Sequence, residues 1–160
     1  MMPGFIAARV VAWPLLLTLV VAVNPPVRGE GIAAVRQAAE EIRLQSDASR
    51  PGGMEMATLA GNMGKPGLYA ARIRIPAGLR VLPHTHPEDR LVVVLSGTLL
   101  VGYGGHFDAS LMKALPPGGF FTEPAGQPHF AWARDDDVIV QVSGIGPSGT
   151  VYVDPGHAGD

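Results

Sequence analysis

Three histidines carry the clearest chemistry in this sequence: His84, His86 and His129. His84 and His86 are two positions apart, so on an extended segment both imidazoles leave one face, about 6.7 Å apart along the strand. One metal ion can accept both. His129 follows Pro124-Ala125-Gly126-Gln127-Pro128 and reaches the same centre if its strand folds back beside the first. The chain has no cysteine, so a metal must be held by histidine, carboxylate or water, and no thiolate nucleophile or disulfide exists. The serines lie in turns without a nucleophile elbow, which leaves covalent catalysis without a candidate.

An antiparallel barrel would provide the return that His129 needs, and the rest of the chain has the rhythm of one. At 160 residues it is long enough for one domain. From Ile42 onward, short apolar runs are broken by Gly and Pro every 8 to 12 residues or so. The expected strands are Met54 to Leu59, Leu68 to Ile75, Val81 to His84, Arg90 to Leu95, Thr98 to Tyr103, Ala109 to Ala114, Gly119 to Glu123, His129 to Ala133, Asp137 to Ser143 and Thr150 to Val153. Pro76-Ala77-Gly78, Ser96-Gly97, Gly104-Gly105, Pro116-Pro117-Gly118, Ala125-Gly126 and Asp135-Asp136 mark the reversals. In Ala71-Arg72-Ile73-Arg74-Ile75 the apolar residues share one face and the arginines the solvated other.

Upstream, apolar residues at positions 32, 35, 38, 39 and 42 have helical spacing, which predicts a short surface helix over Gly31 to Ile42. Met1 to Arg9 carries one cation and precedes an uncharged apolar run, Val10 to Val23, interrupted by Pro14. That run is too short for a membrane span of about 20 residues and reads as a cleaved signal peptide. The expected organisation is a signal peptide over 1–23, cut between 22 and 29, a leader and short helix over 24–40, a barrel over 41–155 and a polar tail over 156–160. A periplasmic or secreted protein follows, with no stable membrane span after cleavage. Losing Arg9 leaves 11 cations against 14 anions, a net charge of −3 with no basic cluster, so nucleic acid is not an expected partner.

The histidines and their flanking turns resemble the two motifs of the cupin family. The first motif maps onto Gly78, His84, His86 and Gly97, and the second onto Gly118, Pro124, Gly126 and His129. The last position of the second motif is Ala133 instead of Asn. The resemblance runs from about Gly53 to Pro155 and is similar to that of small, signal-bearing bacterial cupins. It implies an all-β fold, a single antiparallel jelly-roll barrel, with His84, His86 and His129 as ligands of a divalent transition metal such as Zn, Fe, Mn or Ni. It also implies a homodimer.

The position that carries the family's glutamate ligand is Arg90. Strand parity would turn residues 84, 86, 88 and 90 the same way, unless Pro87 breaks it. Three readings follow: three histidines and water hold the metal; Glu88 or Glu123 substitutes as a ligand; or the site has lost its metal and Arg90 binds an anion. As an enzyme, an oxygenase, isomerase or hydrolase, it would use Arg90 to pair a small anionic substrate and Glu88 as a proton acceptor. The alternative is a non-catalytic module that binds or senses a small molecule or metal.

Other residues have plainer readings. Gly102-Tyr103-Gly104-Gly105 joins strands and opens no helix, so it is a turn and not a phosphate cradle. Arg134-Asp135-Asp136-Asp137 lacks calcium-loop spacing and reads as a solvated hairpin tip. Phe120, Phe121, Phe130 and Trp132 flank the second motif; Phe130 and Trp132 face away from His129 and are expected in packing. Gln141 and Ser143 share a face that would place polar groups inside the barrel, while His106 and His157 are expected at the surface.

Overall fold

Alternating burial is the local rule from which the barrel is built. In the computed structural model, which describes residues 31–46 and 50–154, Tyr69, Ala71, Ile73 and Ile75 are buried and the arginines between them face outward. This strand is β3 (Gly67–Ile75), and it pairs along its whole length with β10 (Val138–Gly146), from Val138 opposite Ile75 to Gly146 opposite Gly67. The remaining strands are β1 (Gln45–Ser46), β2 (Glu55–Ala60), β4 (Arg80–Thr85), β5 (Arg90–Ser96), β6 (Leu99–Tyr103), β7 (Lys113–Leu115), β8 (Phe120–Glu123), β9 (His129–Trp132) and β11 (Val151–Tyr152).

All pairings are antiparallel. One sheet runs β1-β2-β3-β10-β5-β8 and the other β11-β4-β9-β6-β7. Their inner faces supply the core: Val92 and Val94 from β5, Leu99 and Val101 from β6, and Val140 and Val142 from β10. From β3 onward the chain passes back and forth between the two sheets, apart from the adjacent pair β6 and β7, and so closes a jelly roll. Gly97 makes the β5–β6 reversal at φ 71°, where a Cβ would stand 2.4 Å from the Asp137 carbonyl oxygen. Only glycine fits there.

Three expectations change. The helix over Gly31 to Ile42 is absent; the segment has one 3-10 turn, Ala39–Glu41. Ile32 and Val35 are exposed, so the apolar stripe has no core to pack on, and short helices depend on such packing. Ala109 to Ala114 is not one strand, because Asp108 caps a 3-10 turn through the Ser110 backbone N–H before β7 begins. Gln141 and Ser143 point outward, since Val140 and Val142 take the inner face of β10. Phe130 faces away from His129, as its position in the strand predicts, and is buried on the outer side of its sheet beneath Phe107 at 5.2 Å. Gly102 makes room for it, because a Cβ there would lie 2.4 Å from the Phe130 ring.

The signal-peptide segment 1–23 and the tail 156–160, with His157, lie outside the described residues. Among the described residues, no helix is long and apolar enough to cross a membrane.

Candidate metal centre

The site begins with the ladder between β4 and β9, which sets His84 directly opposite His129. His86 follows β4 by one residue, and strand parity carries on through the turn: His84, His86, Glu88 and Arg90 are all buried, while Pro87 and Asp89 are exposed. Pro87 does not break the alternation. The three imidazole rings stand 4.3 to 5.0 Å apart, centroid to centroid. Their ligand atoms lie within 4.8 Å of one another, close enough to share one ion.

Each ring is held from behind by a carbonyl. His84 Nδ1 donates to Leu82 O at 2.7 Å, His86 Nδ1 to Gly149 O at 2.6 Å and His129 Nδ1 to Gln127 O at 3.2 Å. A carbonyl can only accept, so the proton of each neutral ring sits on Nδ1 and the Nε2 lone pair faces the common centre. Metal-ligating histidines are oriented in this way. Burial pushes His84 down to about 3, with His129 adding to the effect. Burial and then the Arg90 charge push His86 down to about 4. Both rings are therefore neutral at pH 7.

Arg90 does reach the pocket, but it is not a free cation. Its Nε donates to Glu88 Oε1 at 2.8 Å, and its Nη2 donates to Ser148 Oγ at 2.5 Å and Gly149 O at 3.2 Å. Its Nη1 stands 3.0 Å from His86 Nε2 and 3.6 Å from Glu123 Oε2. Glu88 lies behind Arg90 and off the cavity wall, where the Tyr69 hydroxyl donates to the same Oε1 at 2.8 Å. Burial acts to raise the Glu88 carboxyl, but hydrogen bonds from Arg90 and Tyr69 outweigh it and leave it below the usual glutamate value. Burial and the bond to Glu88 push Tyr69 up to about 12, so its phenol stays protonated.

Glu123, at the end of β8, stands among the histidines: Oε1 is 3.3 Å from His129 Nε2 and Oε2 is 3.3 Å from His86 Nε2. Burial works to raise its carboxyl, and His129, His86 and Arg90 together hold it below the ordinary value. Glu123 Oε2 and His129 Nε2 are buried without a hydrogen-bond partner. Such orphans are costly unless a ligand satisfies them. Apart from the imidazoles, the buried charged side chains are Arg90 against Glu88 and Glu123, one cation against two carboxylates. A divalent cation fits both the donor atoms and this charge.

The site forms the polar end of a cavity of about 410 Å³ whose other walls are mostly apolar, among them Met54, Met56, Ile73, Phe121 and Val142, with Arg50, Thr150 and Tyr152 also on the lining. Phe121 is thus the one of the four aromatics flanking the second motif that lines it, while Phe120 is exposed. Ala133, where the motif has Asn, is fully buried and held through its backbone by Leu79 and Gly78. His106 is exposed. Sequence reasoning did not find Tyr69, Ser148 or Gly149, which sit 19 to 63 positions from their partners in the chain.

A closed antiparallel jelly roll with clustered histidines inside one end defines a small-molecule or metal-binding barrel. Residues 71–143 match the family model of the cupin domain, so the barrel of this chain is a cupin domain. It is similar in structure to an RmlC-like cupin from Shewanella frigidimarina, with 20% identity over 72% of this chain and 94% of that one, at a TM-score of 0.56. The polyketide cyclase RemF from Streptomyces resistomycificus has 16% identity over 77% of this chain and 89% of that one, at a TM-score of 0.60. The DMSP lyase DddQ from Ruegeria pomeroyi has 26% identity over 72% of this chain, at a TM-score of 0.53, and this chain spans 58% of it. No curated protein sequence matches the chain significantly.

Proposed function

We propose that this protein holds one divalent transition metal through His84, His86 and His129 and admits a small anionic molecule to the cavity beside it. The observation that carries this reading is the common orientation of the three rings, each with Nδ1 tied to a carbonyl and Nε2 turned inward. A metal bound there would supply Lewis acidity or an oxygen-activating centre, as Zn, Fe, Mn and Ni sites do. Arg90 would face the bound anion from a fixed position, the apolar wall would take its hydrocarbon part, and burial would exclude water. Lyase and cyclase names among structural neighbours show that the fold serves different reactions, so an oxygenase or isomerase role rests on the site alone.

The test is elemental analysis of the untagged protein after metal repletion. About one equivalent is expected, and none in the His84→Ala, His129→Ala double variant. An empty wild type after repletion ends this reading.

One observation favours the second reading, a binding or sensing module without turnover. Glu88, the proton acceptor expected for catalysis, lies off the cavity wall with Oε1 engaged by two donors. Incubating the metal form with dioxygen and small carboxylates separates the two, since turnover supports an enzyme and saturable binding without turnover supports the module. We further propose a periplasmic or secreted location, supported by the apolar run Val10 to Val23, and tested by N-terminal sequencing of the protein from its native host. A homodimer is supported by the apolar outer face of β5 and β8, where Leu91, Val93 and Phe120 are exposed, and is tested by sedimentation of the purified chain.

A further inference from the structure

The histidines account for three donors and leave the carboxylate of the site unassigned. Arg90 and Glu123 are directly opposed residues of the β5–β8 ladder, and both are buried facing the barrel interior. We propose that Glu123 is the carboxylate ligand of this metal centre, so that the anionic donor comes from β8 while the adjoining strand contributes a cation. This rests on the metal reading above and adds a fourth protein ligand to it.

The distances support ligation. Donor atoms bound at about 2.0–2.1 Å to a four-coordinate metal stand about 3.3 Å from one another. Glu123 Oε1 and Oε2 lie 3.3 Å from His129 Nε2 and His86 Nε2, respectively. Either oxygen is within the donor set without a move of the backbone. Oε2 is also buried and unpartnered, as is His129 Nε2, and both are relieved by an ion between them.

Glu88, the other buried carboxylate, is a poorer candidate. Its Oε2 is buried and unpartnered like that of Glu123, but its Oε1 is occupied by Tyr69 and Arg90 and it does not line the cavity. Glu88 instead fixes Arg90, together with Ser148 and Gly149, so the guanidinium is clamped at the edge of the centre. The charge then works out in two stages. Without metal Arg90, Glu88 and Glu123 together carry −1, which draws a cation in; with a divalent ion the same set carries +1, which suits an anionic ligand.

The experiment uses the full-length untagged protein and Co²⁺, with affinity read by competition against a chelator and coordination read from the visible spectrum of the bound ion. Glu123→Gln removes the charge, and Glu123→Asp keeps the charge but withdraws it by one methylene. Ligation predicts that both variants lose roughly tenfold or more in Co²⁺ affinity, with a changed spectrum, since even groups that only orient a ligand cost that much. A counter-charge role predicts that Asp binds like wild type with an unchanged spectrum, and that result would overturn the proposal. If circular dichroism shows that Gln does not fold, the Asp variant decides. A wild type that takes up no Co²⁺ sinks the metal reading itself, whereas a wild type that binds and variants that bind equally sink only the role of Glu123.

Discussion

Arg90 and Glu123 face each other across the β5–β8 ladder with 3.6 Å between Nη1 and Oε2, a cation and an anion opposed inside the barrel. That opposition explains how a guanidinium is accommodated beside three histidines. Arg90 is bonded to Glu88 and opposed by Glu123, so its charge is more than compensated before any ion arrives.

Removing the guanidinium should separate stability from metal affinity. Arg90→Gln leaves Glu88 buried without its ionic partner, which is expected to cost about 3–5 kcal/mol of unfolding free energy. The same change takes a positive charge from the edge of the centre and frees His86 Nε2, so divalent-metal affinity should rise roughly tenfold or more. Chemical denaturation and chelator competition on the same preparation measure the two effects. A fall in both would contradict the compensation described here.

Arg90 Nη1 points at His86 Nε2, the atom that would bind the metal. Metal binding should release this N–H for another acceptor. Small carboxylates are therefore expected to bind more tightly to the metal-loaded protein than to the metal-free one, as titration calorimetry of both forms would show. Equal affinities would mean that Arg90 takes no part in anion binding.

The metal-free protein should be sensitive to mild acid. His84 and His86 have folded values of about 3 and about 4, below the ordinary 6.5, so the unfolded chain takes up protons that the folded chain refuses. Stability is full above about pH 6.5, declines as pH falls from there toward 4, and continues to decline toward 3 through His84. Thermal melts from pH 7.5 to 4 should show a falling Tm that begins near 6.5. A flat profile down to pH 5 would contradict neutral, buried rings.

The phenol of Tyr69 supports Glu88 and touches no candidate ligand atom. Tyr69→Phe should cost about 1.5–3 kcal/mol, the range for a hydrogen bond to a charged group, while metal stoichiometry stays the same. Loss of metal from this variant would show that the Glu88–Arg90 pair controls the histidines more directly than the geometry implies.

Much of the barrel was legible because its signals are local. Period-2 alternation and glycine or proline at the reversals place β3 within one residue of the expected strand, and the same alternation carries His84 to Arg90 into the interior past Pro87. The helix expected over Gly31 to Ile42 does not form, because periodicity alone does not supply a surface to pack on. Gln141 and Ser143 face outward and not inward as expected, because the valines of β10 take the inner face. The opposition of Arg90 and Glu123 is a matter of register between strands, and no spacing along the chain encodes it. The clamp on Arg90 was hidden for the same reason, since Ser148 is 58 positions away.

The carbonyl behind His86 belongs to Gly149, in the short link between β10 and β11. Two of the histidines are steadied by residues two positions away, but this one is steadied by a residue 63 positions further along the chain. The link works as a latch: it also grips Arg90, so one segment sets both the ring and the guanidinium. Because β11 pairs with β4, the strand that carries His84, the link is anchored at its far end on the same sheet as the histidines it serves.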